Sequence, residues 1–268
     1  MACLRKAYRG QLGLLLFCAG GPWFPLHAQR VVSARAGLIT YLQGPAFLDG
    51  KRVVLKTARF PQMRDGEALS TGRGRAELLL SPGVMLRLAD HSQVRLESSP
   101  LSDTRVTLQQ GEALIEVVQL AEGNRIQIEL GETSTELTRA GLYRIGKAQN
   151  ATQDSPAQNT LRVYGGEALI RSGLKMADAK RGMAVSLNAD LTISRFDRKQ
   201  KDFFHTWAAR RSFELFMSDP EARQKQTHWQ PAGSGYVENK NFGVAFRAFL
   251  RRGLPPPAHP AIPSAEHP

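Results

Sequence analysis

The stretch Arg75-Ala76-Glu77-Leu78-Leu79-Leu80 turns at Ser81-Pro82-Gly83 and continues as Val84-Met85-Leu86-Arg87-Leu88. A second turn, Asp90-His91-Ser92, leads into Val94-Arg95-Leu96-Glu97. Charged and apolar residues alternate with period two, which places one face of each strand in a core and the other in water. Working outward, the pattern returns at Thr104–Leu108, Arg125–Leu130 and Thr160–Tyr164. Turn signals recur roughly every ten residues, the spacing of a sandwich, barrel or roll. No helix-length periodic segment interrupts the region from Val31 to Ser194, which argues against a parallel α/β sheet. The expectation is an all-β domain over residues 29–195, built of short antiparallel or coiled strands as a β-roll or sandwich.

A self-similar element marks this domain. Gly66-Glu67-Ala68-Leu69 recurs as Gly111-Glu112-Ala113-Leu114 and as Gly166-Glu167-Ala168-Leu169. Each glycine follows a turn and precedes a strand, so each is expected to take a positive φ, with Ala and Leu on alternate faces. Spacings of 45 and 55 residues are too irregular for a repeat array. The element reads as one supersecondary unit reused while the chain coils back on itself.

The first 28 residues carry Arg5, Lys6 and Arg9, no acid, an apolar run Leu12–Ala19, and Leu26-His27-Ala28 before Gln29. Basic flank, short apolar core and small residue at the cut are the marks of a secretory leader. The run falls short of the ~20 residues that span a bilayer. Both cysteines, Cys3 and Cys18, lie in this leader, and bulky Phe17 disfavours lipidation of Cys18. A chain cut near Ala28 is therefore cysteine-free, and a periplasmic or secreted location is expected. The formal charge of +12 falls to +9 without the leader. That balance could favour nucleic acid, anionic lipid or acidic polysaccharide; export makes nucleic acid the least expected partner. Cations scattered along the strands read first as solubilising charge.

Residues 147–159 are polar and non-periodic, an expected exposed loop. After Phe196 the pattern becomes helical, with 203, 204, 207 and 208 on one face. Asp197 or Asp202 could cap this helix, and Asp219-Pro220 would end it. A helix within 196–219 is thus expected on or beside the β domain, with the sealing of an open sheet edge the preferred role. Residues 220–268 read as a flexible Pro- and Gly-rich tail. Within it, Phe246 and Phe249 punctuate a basic patch at 242–252 that would suit a membrane interface, a docking peptide or a last core element.

No paired histidine spacing, nucleophile elbow or phosphate loop is present. Gly72-Arg73-Gly74-Arg75 starts like a dinucleotide loop but lacks the third glycine and the following helix. The reading is a non-enzyme with no cofactor and no metal. An acid pair brought together only by folding would be invisible at this level.

The steps Gly66-Glu67-Ala68-Leu69-Ser70-Thr71, Gly74–Leu80, Gly83–Leu88 and Ser92-Gln93-Val94-Arg95-Leu96 resemble the FecR-domain family. So do Leu108-Gln109-Gln110-Gly111 and Val163-Tyr164-Gly165-Gly166. Glu67 stands where the family usually has Asp, and Ser81-Pro82-Gly83 where it usually has Asp-Gly-Ser. Asp202-Phe203-Phe204, Trp207-Ala208 and Arg211 resemble the helical segment that often follows such domains. The resemblance covers 31–194 and implies an envelope module that passes signals by protein contact, without a cofactor. Its best-known members act on a sigma factor through a cytoplasmic part and one membrane helix. Here eleven residues precede the apolar run, so a stand-alone exported protein is expected rather than an anti-sigma factor. The leading expectation is a periplasmic or secreted module that contacts another envelope protein. The alternative is binding of cell-wall or exopolysaccharide glycan, and a polysaccharide-cleaving enzyme stays open as a third class. Candidate surface residues are Arg73, Arg75, Arg87, Arg95, Phe203, Trp207, Phe246 and Phe249.

Overall fold

A computed structural model describes residues 35–55, 60–147 and 159–217. The leader, the core of the 147–159 loop and the tail with Phe246 and Phe249 lie outside these residues.

The chain alternates between two sheets as it advances. β1 (Leu38–Gln43) starts the first sheet, and β2 (Ala46–Leu48), β3 (Lys51–Arg52) and β4 (Ala68–Thr71) start the second. The hairpin of β5 (Arg75–Ser81) and β6 (Val84–Leu88) returns to the first. β7 (Gln93–Ser98) and β8 (Thr104–Gln110) extend the second, and β9 (Glu112–Val117) the first. Three further hairpins follow: β10 (Ile126–Leu130) with β11 (Thr133–Leu137), β12 (Gly141–Lys147) with β13 (Asn159–Gly165), and β14 (Glu167–Ser172) with β15 (Lys175–Lys180). β16 (Met183–Ser186) and β17 (Ile193–Arg195) close the first sheet, and α1 (Phe203–Met217) follows.

The first sheet has eight strands in the order β1-β5-β6-β9-β12-β13-β16-β17, the second nine in the order β15-β14-β11-β10-β8-β7-β4-β2-β3. Apart from β3, which folds back outside β2, both orders run with the sequence, so the sandwich is laid down progressively from a leading to a trailing end. Among the named strands, the pairs are antiparallel except β8 with β10, between which the chain makes a one-strand excursion through β9. A mostly antiparallel two-sheet body agrees with the expected class.

Alternation supplies the core. Val94, Leu96, Val106, Leu108, Ile126 and Ile128 from the nine-stranded sheet meet Leu78, Leu80, Leu86, Ile115, Tyr143 and Val163 from the other. On the nine-stranded sheet the opposite face is wet, as period two requires: Arg95 is exposed, and Glu136 is bridged by Arg125 at 3.0 Å and Arg171 at 3.1 Å.

The eight-stranded sheet departs from the pattern. Every residue of β6 and β9, and all but the first of β5, is buried. The cause is α1, which covers the outer face of this sheet with Phe204, Trp207, Ala208 and Leu215 on Leu114, Leu142, Tyr164, Leu79 and Met85. A role sealing a sheet edge is therefore corrected to coverage of a sheet face. Alternation alone cannot show this, because it reports which residues face outward and not what lies above them.

The three recurrent glycines have φ of +86° at Gly66, +74° at Gly111 and +90° at Gly166, as expected for residues that precede a strand. Gly111 lies where the chain crosses from β8 to β9, and Gly166 where it crosses from β13 to β14. Both are corners between sheets.

Candidate functional site

The corner at Gly111 gathers three separated motif positions. The Thr71 hydroxyl donates to the Ala89 carbonyl at 2.6 Å and accepts the Ser92 N–H at 3.0 Å. The Ser92 hydroxyl accepts the Glu112 N–H at 3.0 Å and donates to the Asp90 carbonyl at 3.0 Å. At the second corner the buried Tyr143 hydroxyl donates to the Arg139 carbonyl at 2.5 Å and accepts the Glu167 N–H at 3.0 Å. Burial pushes this phenol up to about 12, so it stays neutral and bonded. These side chains satisfy backbone groups where strands change sheets. Their chemistry is stitching.

α1 begins at Asp202, whose carboxylate accepts the His205 N–H at 2.9 Å and the Arg144 guanidinium at 2.7 Å. Of the two expected caps, Asp202 caps the helix. Asp197 instead closes the preceding turn by accepting the Lys199 N–H at 2.9 Å. Arg144 also holds Glu112 at 2.5 Å, which ties the helix start to β12 and β9.

Farther along the helix lies a buried ion network. Arg87 donates to Glu77 at 2.9 Å, to Glu116 at 2.7 Å and to the Ser212 hydroxyl at 3.0 Å. Arg211 reaches Glu77 at 2.9 Å and Glu214 at 2.7 Å, and its guanidinium sits 3.6 Å from the Tyr41 ring centre. Ser212 donates to Glu116 at 2.5 Å. Burial would raise the Glu77 carboxyl, but Arg211 and Arg87 outweigh it and hold the group below the usual carboxylate range. Arg87, expected on an outward strand face, is 0% exposed and belongs to this network. It points outward from its sheet and is buried by the helix, so it cannot form part of a contact surface. Sequence reasoning missed the ion-pairing role of Glu77, Glu116, Arg144 and Arg211, although Arg211 belongs to the helical motif; a charge at an outward strand position gives no sign of its cover.

The structure brings together Arg75, Phe203 and Trp207. The Arg75 guanidinium lies 4.7 Å from the Phe203 ring centre and 5.3 Å from that of Trp207. Trp207 is buried against Tyr41 and Phe204, with ring centres 6.3 and 6.0 Å away. Phe203 is 72% exposed, so of the aromatic residues expected on one buried face it alone turns to solvent. Arg73 is exposed on the turn before β5. Arg95 stands apart on the outer face of the other sheet, and Phe246 and Phe249 lie outside the described residues.

His205 is buried, with its ring centre 4.7 Å from that of Tyr164. Burial, aided by Lys201, lowers its pKa from 6.5 to about 4. The unfolded chain therefore takes up this proton first as pH falls, and native stability declines between pH 6.5 and 4, by about 3 kcal/mol in full. Urea midpoints measured across this window are expected to fall in the wild type and to flatten in His205→Gln.

Among the described residues, no group of three or more His, Cys, Asp or Glu is arranged to hold a metal ion. No helix among them is long and apolar enough to cross a membrane.

Residues 67–170 match the family described as FecR protein. Two crystal structures of a candidate anti-sigma factor from Parabacteroides distasonis ATCC 8503 are similar at 14% and 16% identity, each with a TM-score of 0.42. Each comparison covers 53% of this chain and 64% of the other, so the chain spans less than two thirds of those structures. No curated protein matches it. The segment that supplies Thr71, Ser92 and Gly111 to one sheet corner and Tyr143 and Gly166 to the other is the part of the chain that matches the FecR protein family, residues 67–170.

Proposed function

We propose that this chain is a non-catalytic module of the cell envelope that relays a signal by binding another envelope protein. The FecR match supports a regulatory role. The observation that carries the protein-contact reading is Phe203, which stands 72% exposed on the Arg75 guanidinium beside buried Trp207. An exposed aromatic ring stacked on an arginine beside a buried tryptophan has the composition of an interface hot spot. The leader read at 1–28 supports export, and the partner would then be an envelope protein met outside the cytosol.

A photo-crosslinking residue at Phe203 in the full chain, followed by mass spectrometry, is expected to capture one discrete protein. Affinity measured with that purified protein should fall roughly 30-fold in Phe203→Ala, about 2 kcal/mol. Retention on purified cell-wall glycan instead, lost in Arg73→Ala/Arg75→Ala and insensitive to Phe203→Ala, would turn the reading to a glycan-binding protein.

A further inference from the structure

We propose that the trailing end of the sandwich docks on an anionic lipid surface. Among the described residues β15 pairs only with β14, and β17 only with β16, so the described part of both sheets finishes here with an unpaired edge. Folding gathers cations from two segments at this end. Met183 pairs with Arg195, the Phe196 N–H donates to the Gly182 carbonyl at 3.2 Å, and Arg198 approaches within 3.7 Å of where a Gly182 side chain would begin. Lys180, Arg181, Arg195, Arg198 and Lys199 thereby share one region with the exposed acids Asp178 and Asp197, and Glu167 stands opposite Lys180 in the β14–β15 pair. None of the five forms an ion pair among the described residues.

Apolar side chains stand exposed on the same two edge strands, toward the ends of β15 and β17 opposite these cations. Leu174, at the tip of the β14–β15 hairpin, is 104% exposed and Met176 is 63% exposed. Ile193 pairs with buried Val185 but is 46% exposed, β17 being the last strand of its sheet among the described residues. Lys175 stands between Leu174 and Met176, paired with Asp190 at 2.8 Å.

The mixture selects the occupant. An anionic glycan would use the cations and leave a fully exposed leucine without a role. A second copy stacked end to end would meet basic residues at either end, since Lys51 and Arg52 form the edge strand β3 at the leading end. A bilayer takes both features: cations settle on phosphate headgroups while apolar tips enter the acyl boundary. Neither signal is strong alone, and the two together give stable attachment.

The full-length chain is tested by sedimentation with phosphatidylcholine vesicles and with vesicles of phosphatidylcholine and phosphatidylglycerol in equal parts. Binding is expected only with the latter and should disappear in high salt. Removing a cation near the surface weakens partitioning roughly fivefold, so Arg195→Ala/Arg198→Ala should reduce it about 25-fold. Leu174→Ser should reduce it about tenfold. Phe203→Ala should leave it unchanged, which separates this site from the proposed protein contact. Circular dichroism and urea midpoints confirm that the variants fold. The inference is overturned if no vesicle binding occurs, or if the variants bind as the wild type does and attachment lies elsewhere. It is also overturned if soluble dextran sulfate or an acidic protein competes fully while Leu174→Ser has no effect.

Discussion

Replacing Arg87 by alanine is expected to lower the free energy of unfolding by about 3–5 kcal/mol. Arg87 is fully buried and donates to Glu77, Glu116 and Ser212, so its loss leaves, among the described residues, the Ser212 hydroxyl on Glu116 and Arg211 on Glu77. Most of the penalty is the cost of an uncompensated buried carboxylate, not the intrinsic strength of the pair. The double variant Arg87→Met/Glu116→Leu removes charge and partner together and should recover most of the loss, because Glu77 keeps Arg211. Urea unfolding decides this. A loss below about 1 kcal/mol in Arg87→Ala would mean that the helix does not seal the network from water. The same network predicts an acid limit. Glu77 has a lowered folded-state pKa, so its contribution is complete above its unfolded value near 4.5 and disappears as pH falls through the folded one. Glu77→Gln should abolish that part of the acid dependence and destabilise the protein at neutral pH.

The second large effect separates three glycines that look equivalent in sequence. A Cβ at Gly66 would meet nothing closer than an arginine nitrogen at 3.9 Å, so Gly66→Ala costs mainly backbone strain, about 1–2 kcal/mol. A Cβ at Gly111 would overlap the Ser92 hydroxyl and lie 2.8 Å from the Ser92 Cα. One at Gly166 would overlap the Tyr143 hydroxyl and lie 2.8 Å from the Ala140 carbonyl. Neither neighbour can yield, because Ser92 and Tyr143 each hold backbone groups of the corner. Gly111→Ala and Gly166→Ala should therefore each cost more than about 3 kcal/mol, combining strain and overpacking. Equal unfolding midpoints for all three alanine variants would refute this ranking.

Much of the fold was legible because its signals are local. Val94-Arg95-Leu96 and Ile126-Gln127-Ile128 display their inward and outward faces in three residues each, and the backbone obeys. The glycine before each Glu-Ala-Leu step demanded positive φ for a reason confined to one residue, and all three have it. An aspartate cap at 197 or 202 and the family motif were likewise readable within short windows, and the structure chose Asp202. The motif's purpose was not: Thr71, Ser92 and Gly111 are far apart in sequence, and only their meeting at a corner shows that they stitch backbone.

The candidate site was legible in composition but not in arrangement. Arg75, Phe203 and Trp207 stood out in the sequence as candidate surface residues, yet their association depends on α1 reaching back over a strand formed more than a hundred residues earlier. Arg87 carried the same sequence signal as Arg95, a cation at an outward strand position, and one is buried while the other is exposed. By itself, then, the sequence determined the strands, their faces and the positive-φ glycines that precede them, because side-chain alternation and backbone conformation are set by neighbours a few residues away. Only the tertiary structure decided which outward charges meet water. That depends on where α1 comes to rest: Arg211 and Glu77, 134 residues apart in the chain, become partners only when the helix lies across the sheet.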